Sequence, residues 1–134
     1  MRRPSTTRVL SEDELLAAYL EGARKDVGEL DAMAAQLRAA PGAWADLGPA
    51  LHHLAHNVKG QGTAFGYPLM TRIGDSLMRL IKSTGDSAAP DLQVLGAHVS
   101  ALQTVLRHDI RGAGGASGEA LASRLEALVT RALG

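Results

Sequence analysis

Apolar residues recur at intervals of three and four along most of the chain. Leu16, Tyr19, Leu20, Ala23, Val27, Leu30, Ala34 and Leu37 form the first such stripe, the spacing of a helix that buries one face. Ser11 with Glu14 three residues on is a capping box, in which each side chain satisfies the other's backbone N–H. It predicts a helix start there, and Pro41-Gly42 predicts its end near Ala40. A second helix is expected from about Trp44 to Phe65, with an irregular first turn at Gly48-Pro49 and a stop at Gly66. Pro68 suits the first turn of a third helix reaching Lys82. Residues 83–90 read as loop. Leu92, Leu95, Val99, Leu102 and Leu106 mark a fourth helix, and Leu121, Leu125, Leu128 and Val129 a fifth. Between these two the glycine-rich run Gly112–Gly118 reads as a flexible connector. No segment alternates with period two. The chain is therefore expected to be all-α, an antiparallel up-and-down four-helix bundle with an additional C-terminal helix. Residues 1–10 are expected to form a disordered arm and residues 11–134 a single helical domain.

Composition narrows the chemistry. A length of 134 residues suits one domain with a core of its own. The absence of cysteine excludes a disulfide scaffold, thiol catalysis and thiolate-bound metal. Fourteen basic residues balance fourteen acidic ones, so the whole-chain field favours neither nucleic acid nor an anionic membrane. Four aromatic residues provide no platform for stacking bases. No apolar run approaches the roughly 18 residues of a membrane span, and the N-terminal segment lacks the apolar stretch of a signal peptide. A cytoplasmic, monomeric protein is the expectation.

The second helix carries the distinctive pattern. With about 100° per residue and His56 at zero, Leu47, Leu51, Leu54, Val58 and Phe65 fall between about 160° and 220°. That stripe is predicted to face the core, with Gln61 beside it at about 140°. His52, His53, His56, Lys59, Gly60 and Thr63 lie within about 60° of His56 on the opposite face. A histidine so placed is ordinarily a solvated residue without a task. The glycines give this one a different setting, because Gly60 and Gly62 inside a helix cost roughly 1 kcal/mol each relative to alanine. Gly60 lies one turn beyond His56, where a missing Cβ opens an approach to the ring. Lys59, three residues on, is placed to set an ammonium beside whatever the ring carries. A neutral imidazole is nucleophilic near neutral pH, so exposed nucleophile, adjacent cation and cleared approach suit transient phosphorylation.

The stretch His56-Asn57-Val58-Lys59-Gly60, followed by small residues and Gly66, resembles the motif of histidine phosphotransfer (HPt) domains. Gly62-Thr63-Ala64-Phe65-Gly66 is similar to the corresponding run in the phosphotransfer domain of chemotaxis histidine kinases. The resemblance implies that His56 is the phosphoacceptor, through Nε2, with Lys59 steadying the phosphoryl group and Gly60 keeping the approach open. It implies a relay of phosphoryl groups between receiver-domain aspartates of response regulators and a hybrid histidine kinase. No cofactor of the chain's own is implied, since the receiver brings the Mg²⁺. The chain has no phosphate-cradling nucleotide loop and no room for a kinase domain, so it is expected to be a standalone intermediate, phosphorylated by its partners. One position departs from the family pattern. The Gln or Glu that commonly bonds the phosphoacceptor's Nδ1, twenty-two residues on, is Met78 here. Asp75, one turn earlier, is the candidate substitute.

His52, His53 and Thr63 are expected to surround the reactive ring, and Arg72 and Arg79 to edge it and meet a receiver's acidic residues. Val9, Leu10 and Ala64 are candidate apolar contacts for that partner. A different reading is a non-catalytic scaffold or a metal-binding bundle, since His52 and His56 have the i, i+4 spacing of a metal pair and His98 and His108 lie on the fourth helix.

Overall fold

The computed structural model describes residues 9–85 and 88–134, and most of the predicted arm lies outside them. Five α-helices carry the chain: α1 (Glu12–Ala39), α2 (Trp44–Gly60), α3 (Pro68–Lys82), α4 (Leu92–Arg107) and α5 (Gly115–Leu133). Among the described residues there is no strand. No helix there is long and apolar enough to cross a membrane.

The start signals act as the sequence predicts. Ser11 accepts from the Glu14 N–H while the Glu14 carboxylate accepts from the Ser11 N–H, closing the box that begins α1. Pro68 opens α3. Asp91 caps α4 by accepting from the N–H groups of Gln93 and Val94, which are otherwise unpaired at a helix start. The helix α2 runs unbroken through Gly48-Pro49, preceded by a single 3₁₀ turn at Pro41–Ala43. Gly48 packs closely under Trp44, where a Cβ would lie 3.2 Å from the indole.

Each helix turns its apolar stripe inward. Val27, Leu30, Leu37, Leu51, Val58, Leu77, Leu95, Leu102, Leu125 and Val129 belong to one buried cluster to which all five helices contribute. Around it α1 packs on α2, α2 on α3, α3 on α4 and α4 back on α1, while α5 lies against α3 and α4. His98 is wholly buried. Its Nδ1 donates to the Val94 carbonyl at 2.8 Å, which leaves Nε2 to accept from the Ser76 hydroxyl at 2.7 Å. Burial pushes the His98 imidazole below its ordinary value, so it is a neutral core residue and not an available ligand.

Two further stretches differ from the pattern-based expectation. The helix α2 stops at Gly60 instead of Phe65. Gln61 ends it, a 3₁₀ turn follows at Thr63–Phe65, and Gly66 takes a left-handed conformation at φ 90°. Gly62 is therefore not a helix-interior residue. A Cβ on it would sit 2.7 Å from the Tyr67 carbonyl oxygen and 2.8 Å from Thr71 Oγ1, so the glycine lets the turn fold onto α3. Gln61 is exposed, because the helical phase that would set it beside the core has already ended. In the run 112–118, α5 begins at Gly115, three residues earlier than the run ends. Gly118 lies inside the helix, where a Cβ would lie 2.1 Å from the Ala113 carbonyl oxygen. The run is thus largely a tight turn and a first helical turn. Its N–H at Gly112 donates to the Gly66 carbonyl at 2.9 Å, joining the two turns at one end of the molecule.

Candidate functional site

The exposed face of α2 presents the histidines. His53 and His56 are exposed and His52 is half-buried, while Leu51, Leu54, Ala55 and Val58 fill the core side. The helical phase of the pattern is therefore correct from Leu51 to Gly60. His56 lines a groove of about 440 Å³ between α1 and α2. The α1 wall is Ala18, Tyr19, Gly22, Ala23 and Asp26, and the α2 wall includes Asn57, Gly60 and Gln61. Small residues on both helices leave the ring accessible. A Cβ placed on Gly60 or Gly22 would have no neighbour within 4 Å, so at both positions the space is open. Gly60 is the last residue of its helix, which lessens the cost of a glycine there.

Lys59 is half-buried at the junction of α2 with α3. Its ammonium lies 2.9 Å from Asp75 Oδ1. Asp75, the candidate for orienting His56, is thus engaged with the neighbouring cation. The closeness of the two helices here depends on Gly74, a residue the hydrophobic pattern does not single out. A Cβ at Gly74 would stand 2.6 Å from Lys59 Cβ and 2.9 Å from Lys59 Cα. Such distances are far inside van der Waals contact, so only glycine permits this approach. Met78 is buried and belongs to the core cluster.

Thr63, expected beside the ring, is tied to α3. Its N–H and its hydroxyl both donate to Thr71 Oγ1, each at 2.9 Å. Arg72, expected to edge the site, faces α5. Its guanidinium donates to both oxygens of Glu126 at 2.8 Å, to Glu119 at 2.8 and 3.2 Å, and to Ser123 at 3.3 Å. These bonds hold the Glu119 and Glu126 carboxyls below the usual range. Arg72 therefore fastens α5 to α3. Arg79 is exposed on α3, Ala64 on the turn after α2, and Val9 and Leu10 ahead of α1.

Two residues of the groove lining, Tyr19 and Asp26, are not singled out from sequence as site features. Tyr19, counted there as a core position, stacks on Phe65 with ring centroids 4.8 Å apart, and on Tyr67 at 5.9 Å. Its hydroxyl is buried without a partner among the described residues, and burial, reinforced by Tyr67, pushes it up to about 12. Tyr67 in turn donates to Asp109, and Arg111 lies over its ring at 5.2 Å. Asp26 lines the groove across from His56. Burial first and then Glu29 raise its carboxyl, with Lys25 and His53 acting the other way. The pair of small residues Ala18 and Gly22, one turn apart on α1, is the signal from which this wall was readable.

Among the described residues no group of three or more His, Asp or Glu side chains converges to hold a metal ion. His52 borders a different pocket from His56, one lined by Trp44, Pro49, Ile81 and Lys82. The i, i+4 histidine pair therefore does not share a cavity. No protein-family model, curated protein or solved structure matches the chain.

Proposed function

We propose that the chain is a histidine-containing phosphotransfer protein, carrying a phosphoryl group on His56 between receiver-domain aspartates of a two-component phosphorelay. The observation that carries this reading is one turn of α2. His56 stands exposed at an open groove, Lys59 lies three residues on, and Gly60 leaves the space beyond the ring free. The motif in which these residues occur points the same way. The cyclic packing of α1 to α4, with α5 outside on α3 and α4, supports an antiparallel up-and-down four-helix bundle as the scaffold.

The chemistry asked of the chain is modest. His56 Nε2 attacks the phosphorus of a receiver's aspartyl phosphate. The P–O bond to the aspartate breaks, the carboxylate leaves, and the imidazole proton passes to water. Lys59 offsets charge on the phosphoryl group, and the receiver supplies Mg²⁺ and the in-line geometry. Onward transfer runs the same steps in reverse to a second receiver. The partners are thus response-regulator receivers and a hybrid histidine kinase, met through a small, short-lived interface in the cytoplasm.

The test is uptake of label from a receiver carrying ³²P-aspartyl phosphate. Wild type should become labelled with the acid-labile, alkali-stable character of phosphohistidine, and His56→Gln should take up none. Equal labelling of the two proteins, or none of wild type by any receiver encoded beside it, would sink the reading.

A further inference from the structure

We infer that Asp75 is a positioning residue that holds the Lys59 ammonium in the resting protein and competes for it with the phosphoryl group on His56. This rests on His56 being phosphorylated and adds a part that the motif does not contain. The first observation is the ion pair itself, 2.9 Å from Lys59 Nζ to Asp75 Oδ1. The second is the contact beneath it. Because Lys59 Cα and Cβ fill the space a Gly74 Cβ would need, the α2 backbone at Lys59 is fixed against α3. Lys59 can change partner only through its side-chain torsions. The third is solvent access, with 35% of the lysine side chain and 56% of the aspartate exposed, so the pair can exchange.

His56 lies three residues before Lys59 and one turn away on the same helix. A phosphoryl group there carries about −1.5 to −2 charges, against a single charge on Asp75. The balance favours the phosphoryl group, and Asp75 reduces the advantage. Asp75 thereby sets how firmly the phosphorylated state is held. A weakly held phosphoryl group is one that passes readily to the next receiver.

The full-length chain can be phosphorylated without any receiver by phosphoramidate. His56 Nε2 attacks phosphorus, the P–N bond of the reagent breaks, ammonia leaves, and the imidazole proton is taken up by solvent. The readout is the pH titration of the phosphohistidine ³¹P resonance. An ammonium beside the phosphoryl group favours its dianion and moves the titration to lower pH. Asp75→Asn frees Lys59 and should raise the proton-dissociation constant about two- to five-fold, the size expected of an exposed ion pair. Asp75→Glu should restore the wild-type value. Lys59→Met should shift the titration the opposite way, and the double variant should match Lys59→Met alone. Asp26 across the groove, His52 and His53 on α2 and Arg79 on α3 are common to all five proteins, so their fields cancel in the comparison. An unchanged titration in Asp75→Asn, or an Asp75→Asn shift that persists in the Lys59→Met background, overturns the inference. Phosphohistidine at His56 that no receiver accepts would instead overturn the relay and leave the Asp75 comparison standing. Absence of phosphohistidine in wild type overturns both.

Discussion

Lys59 and Arg72 are both partly exposed cations bordering α3, with 35% and 34% of their side chains accessible, yet they do different work. Lys59 reaches from α2 to one carboxylate, Asp75, through a single ion pair. Arg72 reaches from α3 to two carboxylates and a hydroxyl on α5, its planar guanidinium bonding both oxygens of Glu126. A point charge with one partner is exchangeable, whereas a forked donor with three is committed. Exposure alone would have assigned the two residues the same role. The count and geometry of their partners separate an exchangeable cation from one that fastens a helix.

The sharpest way to break this contrast is at the backbone under Lys59. Gly74→Ala should destabilise the protein by about 1–3 kcal/mol through overpacking against Lys59, read as a lower urea midpoint. In an unobstructed helix the same change would stabilise by up to about 1 kcal/mol, so the sign alone decides whether the α2–α3 approach is as close as described. The next effect falls on α5. Arg72→Ala should lower amide-exchange protection in α5 several-fold while leaving α2 unchanged. Acid should reproduce it. Glu119 and Glu126 titrate below their unfolded value of 4.5, so their contribution is full above that value. It is lost as pH falls through their lowered folded values. Equal protection of α5 in wild type and Arg72→Ala at neutral pH would refute the fastening role. The smallest effect is that of Lys59→Met, whose unfolding free energy from urea titration should stay within about 0.5 kcal/mol of wild type, as expected for an exposed pair.

Much of this arrangement was readable from local pattern, and the exceptions share a cause. The capping box at Ser11, the Pro68 start and the helical phase that exposes His56 depend on residues a few positions apart. The end of α2 was misplaced because Val58 and Phe65 keep a helical spacing across Gly60 and Gly62. Gly62 instead packs against Tyr67 and Thr71, a contact that lies beyond the reach of periodicity. The same holds for the charges. Arg72 looks like a solvated residue on its own helix, and its partners lie 47 and 54 residues away. Asp75 is expected from sequence to orient His56, whereas the partner it meets in the structure is Lys59. Polar pairing between helices is decided by their rotation and approach, and these follow from the core as a whole.

The close contact at Gly74 also divides the demands made on this part of the chain. What would collide there is the Cα and Cβ of Lys59, atoms that every residue except glycine shares. The lysine can therefore be exchanged for almost any other side chain without disturbing the seam, whereas the glycine opposite can be exchanged for none. Folding constrains position 74, and on the proposed function phosphoryl chemistry constrains position 59. Mutational tolerance measured by stability would rank Lys59 among the free positions and the featureless Gly74 among the fixed ones. Tolerance measured by phosphoryl handling would place both among the fixed, and the difference between the two maps would isolate Lys59.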